Sequence, residues 1–250
     1  MRIDIVSGDG ILYTNRTITL FRKSGTPPMP LLRRIDSTPD LTEQVYERLL
    51  EAICSGALAP QARLTQQNLA ATLNVSRQPV LQALRMLRKD GFVIDAGRRG
   101  LMVAPLDPRV IEHTYQVRAA LDGLAAREAA LNKAQLPRQL IDNGEAAAKS
   151  HRIASMIEAD LEFHQALYDA SGNPMIGEVA NHHWQHIRRA MGAVLMQTGI
   201  RKSIWEEHAR IIDAVNSGDP VLAEKLARAH GERAGRAVAV ELDRYVKQAS

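Results

Sequence analysis

Cysteine, long apolar runs and early histidine are scarce in this 250-residue sequence, and each scarcity excludes something. Cys54 is the only cysteine, so no intrachain disulfide can form and a reducing cytoplasm is the expected setting. Its apolar helical surroundings read as those of a core thiol rather than a reactive one. No apolar run approaches the roughly 18–20 residues of a spanning helix, so no membrane partner is expected. A signal-peptide pattern is missing too, because Asp4 and Asp9 interrupt the first apolar residues. All eight histidines lie at or beyond His113.

Charge is divided as unevenly as histidine. Residues 1–106 carry 14 Lys and Arg against 9 Asp and Glu, whereas residues 107–250 carry 18 against 19. A basic first half suits a polyanionic partner. A near-neutral, histidine-bearing second half suits a separate task, and the length allows two domains with their own cores. Residues 1–39 lack sustained periodicity and hold Gly8-Asp9-Gly10 and Gly25-Thr26-Pro27-Pro28, so they read as a disordered arm. The alternative is a basic DNA-contacting arm (Arg22, Lys23, Arg33, Arg34), and Met29 is a plausible translation start.

Residues 40–104 read as a winged helix-turn-helix. Asp40 and Glu43 form a capping box for a helix whose Leu41, Val45, Leu49 and Ile53 share one stripe, ended by Gly56. Thr65 starts a second helix, with Leu69 and Leu73 inward, and Asn74 tolerates the left-handed turn that follows. Ser76 is expected to cap a third helix, in whose first turn Pro79 loses no helical hydrogen bond. Val93-Ile94 and Leu101-Met102-Val103 are strand candidates bracketing the turn Gly97-Arg98-Arg99-Gly100.

Such a unit offers the first turn of its third helix to a DNA major groove. Arg77 suits guanine, Gln78 suits adenine, and Ser76 lies beside them. Thr65, Gln66 and Gln67, with Gly97, Arg98 and Arg99 on the wing, are better placed for phosphates or the minor groove. Arg85, Arg88 and Lys89 read as a solvated helical face. Residues 41–103 resemble the N-terminal domain of GntR-type bacterial transcription regulators. The resemblance rests on Ile53 to Pro60, Leu69-Ala70, Val75-Ser76-Arg77-Gln78-Pro79-Val80, Ala83 to Leu87 and Asp90-Gly91-Phe92-Val93. Leu81-Gln82 stands where many relatives have Arg-Glu, and Gln66 and Gln67 replace frequent charged residues. The operator therefore need not follow the common pattern.

Residues 105–108 form a linker, with Asp107 capping and Pro108 at the first helical position. Residues 109–250 show helix periodicity and no strand pattern. Helices are expected near 108–132, 137–150, 153–171, 174–198, 203–216 and 219–247, which gives an all-helical bundle and a mainly α chain. Asp160 and His164, four apart, project from one helix face. His208 and His230 lie almost equally far from the Gly218-Asp219-Pro220 turn, so an antiparallel helical pair brings their imidazoles level. One carboxylate and three imidazoles can thus meet at an N/O site suited to Zn, Ni, Mn or Fe. His182, His183 and His186 form a second cluster without an evident carboxylate. There His182 reads as a polar face, and His183 or His186 remains open as a pocket residue.

Residues 112–233 resemble the FadR-type C-terminal (FCD) effector domain. The resemblance rests on Val117 to Asp122, Asp160-Leu161-Glu162-Phe163-His164, Ser171-Gly172-Asn173-Pro174, Glu207 to Ala214 and Ala223 to His230. It implies that Asp160, His164, His208 and His230 are the metal ligands. Arg118, His186 and Arg189 are candidates for holding a small organic acid, Arg118 with support from the resemblance. The expected protein is a dimeric regulator, a repressor by resemblance, that grips a pseudo-palindromic duplex and responds to a metabolite. A metalloenzyme using the same four residues is the alternative, with no general base in evidence. A regulator for which the ion alone is the signal is a third reading.

Overall fold

The computed structural model describes residues 10–14, 17–21, 41–97, 100–195 and 201–249. It divides into two units, residues 1–40 and 41–250, which are treated separately. In the first unit, β1 (Gly10–Thr14) pairs antiparallel with β2 (Thr17–Phe21), Ile11 opposite Leu20 and Tyr13 opposite Ile18. This corrects the expectation of an arm without regular structure. Ile, Leu, Tyr and Thr dominate both segments, and such residues favour a pleated ribbon. The segments are too short for a helical period to reveal them. The basic residues of the alternative arm lie outside the described residues, as do Asp40 and its cap.

The second unit begins with the winged fold. Helix α1 (Leu41–Cys54) and helix α3 (Arg77–Lys89) bury Val45, Leu49, Ile53, Val80, Ala83, Leu84 and Leu87 in one core. Between them lie strand β3 (Arg63–Leu64) and helix α2 (Gln66–Leu73). The Thr65 hydroxyl caps α2 by accepting from Asn68 N, and Asn74 takes the left-handed conformation (φ 51°, ψ 48°) that ends it. Ser76 is extended at the start of α3, but its hydroxyl makes no capping hydrogen bond, against expectation. Its place is the entry to the helix, not a cap by side chain. Strands β4 (Val93–Asp95) and β5 (Leu101–Val103) form the wing, and β3 joins them in the order β3-β5-β4. β3 has only two residues, too few for alternation to be read from sequence.

Six helices follow. Helix α4 (Pro108–Leu131) starts with Pro108 behind the Asp107 side chain, which accepts from Arg109 N at 2.9 Å. Helices α5 (Gln139–Ser150), α6 (Ile153–Ala170), α7 (Pro174–Leu195), α8 (Arg201–Asn216) and α9 (Pro220–Ala249) complete the bundle. The expected last three residues of α7, 196–198, lie outside the described residues. Ala125, Ala126, Ala129, Phe163, Leu167, Ile211, Ile212, Val215 and Ala223 form the centre of the core. Small residues let α4 and α9 approach closely: an added Cβ at Gly231 or Gly235 would strike Ala119 or Tyr115. Asp160, His164, His208 and His230 are buried polar residues of this interior, as are Arg118, Asp122 and Ser171.

Candidate DNA-binding face and metal centre

The winged unit leaves Ser76, Arg77 and Gln78 exposed at the start of α3. Thr65 and Gln67 are exposed at the start of α2 and Gln66 is half-buried. Exposed polar groups with no place in the core are what a groove-reading helix needs. Gly97 (φ 61°) and Gly100 (φ 84°) take positive φ at the wing tip, and Gly100 N donates to Gly97 O at 3.1 Å. Arg98 and Arg99 lie outside the described residues. Arg88 pairs with Asp95 at 3.2 Å on an exposed face.

In the helical unit, α6 supplies Asp160 and His164, α8 supplies His208, and α9 supplies His230. One ring nitrogen from each imidazole falls within 4.8 Å of the others. His208 Nε2 and His230 Nε2 are 3.0 Å apart, and Asp160 Oδ1 is 3.8 Å from both His164 Nε2 and His208 Nε2. Ligand atoms sharing one ion at bonds of about 2.0–2.2 Å sit at separations of this order. Asp160, His164, His208 and His230 are therefore brought together.

The surroundings orient the rings. The Glu207 carboxylate accepts from His230 Nδ1 at 2.8 Å, which leaves the Nε2 lone pair for the centre. Asp122 Oδ1 faces His164 Nδ1 at 3.4 Å and accepts from the Tyr168 hydroxyl at 2.6 Å. Phe163 stacks on His208 with centroids 3.8 Å apart, and the Trp205 ring meets its edge at 4.8 Å. His164 Nε2 is buried with no hydrogen-bond partner. An orphaned imidazole nitrogen beside two others and a carboxylate fits a bound cation.

Electrostatics agree with that donor set. Burial pushes the His208 imidazole well below its ordinary pKa, and His230, His164 and Arg118 push the same way. Burial and then Arg118 also lower His164, against Asp122 and Asp160. Both rings are thus neutral, the form that offers a lone pair. Burial would raise Asp122, but the facing His164 and Arg118 hold it at about 2. Burial would also raise Glu207, and hydrogen bonds from His230 and Arg233 bring it to about 2.

A cavity of about 220 Å³ opens beside the cluster, lined by Arg118, Asp160, His230 and Arg233 among apolar groups such as Val194 and Val238. Arg118 is buried and reaches Asp160 Oδ2 at 3.3 Å and Asp122 Oδ2 at 3.6 Å. Burial opposes its charge, and the two carboxylates more than restore it. Its guanidinium also lies 5.1 Å from the Trp184 ring centre.

His186 and Arg189 require correction, because both sit away from this cavity. His186 stacks on Phe92 at 4.1 Å and its Nε2 donates to Asp90 O at 2.9 Å. Arg189 donates to Ala104 O at 2.6 Å. Both hold α7 against the winged unit, as does Arg188, 2.7 Å from Glu51. An i, i+4 count places His182 and His186 on one face but says nothing of which domain that face meets. His183 does not line the cavity either. Asp122, Tyr168 and Glu207 were not singled out from sequence. Glu207 had a usable signal: the distance from the turn that levels His208 with His230 also brings Glu207 alongside.

Comparison with known proteins was consistent across three kinds of match. The model described as bacterial regulatory proteins of the gntR family matches residues 41–103, and the FCD domain model matches residues 113–233. The HTH-type transcriptional regulator YdhC of Bacillus subtilis is 27% identical over 205 residues, covering 79% of this chain and 90% of that protein. The transcriptional repressor NanR of Klebsiella aerogenes is 26% identical over 226 residues, covering 80% and 86%. Among solved structures, Escherichia coli McbR/YncC superposes with a TM-score of 0.66 at 21% identity, covering 80% of this chain and 98% of that one. A regulator from Rhodococcus sp. RHA1 gives 0.66 at 23% identity, covering 79% and 96%. These relatives are transcription regulators rather than enzymes, which sets aside the metalloenzyme alternative.

Proposed function

Because the chain is a transcription regulator of the GntR family, with a winged helix followed by an FCD domain, we propose that it is a metabolite-responsive repressor. Residues 40–104 grip the operator, and residues 109–250 bind a divalent ion and a small organic acid and form the homodimer. The observation that carries this reading is the meeting of Asp160, His164, His208 and His230 at the wall of a cavity that also holds Arg118.

Each residue has a task. Asp160, His164, His208 and His230 would hold the ion, and Glu207 and Asp122 fix the ring orientations from behind. Zn, Ni, Mn or Fe in that position supplies a positive anchor for a carboxylate. Arg118 offers a second charge with fork geometry, and Val194 and Val238 exclude bulky polar groups. A cavity of about 220 Å³ suits an acid of a few carbons. Trp184 touches Arg118 on one side and belongs to α7, whose next residues hold the winged unit through Asp90, Phe92, Glu51 and Ala104. An acid that displaces the Arg118 guanidinium therefore bears on α7 and, through it, on the placement of the DNA-reading helix. Repression is relieved if the acid prefers the arrangement that does not bind DNA.

The test is a thermal-shift screen of small carboxylic acids against zinc-loaded and metal-stripped protein. An acid that raises Tm only in the loaded protein supports the reading. Equal shifts in both forms would count against it.

A further inference from the structure

A second cavity, of about 510 Å³, has walls from both the winged unit and the bundle. Its volume falls within the range of small-molecule sites. Cys54, at the end of α1, closes it from the winged side. Ile157 and Leu161 of α6, with Trp184 and Arg188 of α7, close it from the bundle, and Glu158 stands exposed at the edge. The space is therefore mainly apolar, with an aromatic ring and a guanidinium facing it.

Arg188 is only partly used by the protein. Glu51 of α1 accepts from its Nη2 at 2.9 Å, but Nη1 reaches only the Gln185 side-chain oxygen, at 3.5 Å. Arg189, the next residue, is 6% exposed, donates to Ala104 O and has no carboxylate partner among the described residues. Two guanidiniums against one carboxylate make the inner wall positive. The Cys54 thiol registers that field. Burial pushes it up to about 11, while Arg188 and Arg189 pull it down by more than Glu51 raises it. Carbonyls at the end of α1 do not oppose an anion freely, since Ser55 N takes Glu51 O and Leu58 N takes Ala52 O.

We propose that this cavity is a second ligand site, taking a monocarboxylic acid with an apolar body the size of an arene. The body lies against Trp184, Ile157 and Leu161, and the carboxylate accepts from Arg188 in competition with Glu51. No metal takes part, so the site is independent of the centre at Asp160 and of the acid assigned there. Glu51 belongs to α1 and Arg188 to α7, so an acid that takes Arg188 removes one tie between the winged unit and the bundle.

The test is calorimetry of phenylbutyrate with the zinc-loaded full chain, together with modification of Cys54, the only thiol, by dithiodipyridine. Phenylbutyrate is expected to bind wild type and H164A/H208A with the same Kd and to slow Cys54 modification. Phenylbutylamine, of similar size and opposite charge, should bind about tenfold more weakly. R188Q should raise Kd about tenfold, whereas E51Q, which frees Arg188, should lower it about threefold. A purely structural role for the pair would move both the same way. A154F, which fills the cavity from an exposed position, should abolish binding with Tm retained. No binding, an amine that matches the acid, an unchanged Kd in R188Q, a raised Kd in E51Q, or loss in H164A/H208A would overturn the site. Binding here is zinc-independent and sensitive to R188Q, and binding at the metal centre is the reverse, so either reading can fail without the other.

Discussion

Arg77 is exposed at the first turn of α3, while the residues that build the winged core lie on the other side of that helix. Replacing it with alanine should weaken binding to a duplex enriched by the protein itself by about 1–3 kcal/mol, roughly tenfold or more, with Tm unchanged. Anisotropy on that duplex measures the loss, and undiminished affinity would remove Arg77 from base reading. Glu207 accepts from His230 Nδ1 at 2.8 Å and from Arg233 Nε at 3.0 Å. Glu207→Gln should therefore lower zinc affinity by about 10–100-fold, read by competition with a chelating dye. That Asp160, His164, His208 and His230 lie close together was legible because i, i+4 spacing and equal distance from a turn are geometric statements about helices. The orienting carboxylates were not legible, because Asp122 reaches His164 across two helices with no spacing rule between them. His186 and Arg189 failed as effector residues for a related reason: their partners, Asp90 and Ala104, belong to the winged unit.

At the scale of the element, helix contacts rest on small residues. A Cβ at Gly144 of α5 would run into the Trp205 ring of α8, the ring that meets His208 edge-on. Gly144→Ala should destabilise the fold by about 1–3 kcal/mol in urea and displace Trp205, seen as a shift in tryptophan emission. Lowered zinc affinity is expected with it. Helix placement was readable from caps and breaks, since Asp107-Pro108, Asn173-Pro174 and Asp219-Pro220 each open a helix. The β1-β2 hairpin and the two-residue β3 escaped because five residues or fewer carry little periodic signal. Helix α4 shows the opposite limit. Val110, Val117, Leu124 and Leu131 stand among its alanines in the sequence, yet only the structure shows that these four are exposed while Ala125, Ala126 and Ala129 are buried.

For the whole molecule, the buried imidazoles tie stability to pH. His164 and His208 have pKa values below the ordinary 6.5 in the fold, so the unfolded chain binds more protons at mildly acid pH. The metal-stripped protein should hold a constant contribution from them above about pH 7 and lose stability as pH falls through the ordinary histidine value of about 6.5. Asp122 and Glu207, held at about 2, withdraw their own contribution as pH falls from the ordinary carboxylate value of about 4 to about 2. Urea midpoints at pH 7.5, 6.5 and 5.5 check the first window, and H164A/H208A should flatten the slope. The linked domains make a further demand: occupancy of the helical cavity must change the grip on DNA. The direct measurement is anisotropy of an enriched operator duplex bound to zinc-loaded protein, titrated with a panel of three- to six-carbon hydroxy and dicarboxylic acids. At least one acid is expected to release the duplex from wild type at concentrations more than about tenfold below those needed for H164A/H208A. Release at the same concentration from both proteins, or from neither with any acid, would contradict control of DNA binding through the Asp160, His164, His208 and His230 centre.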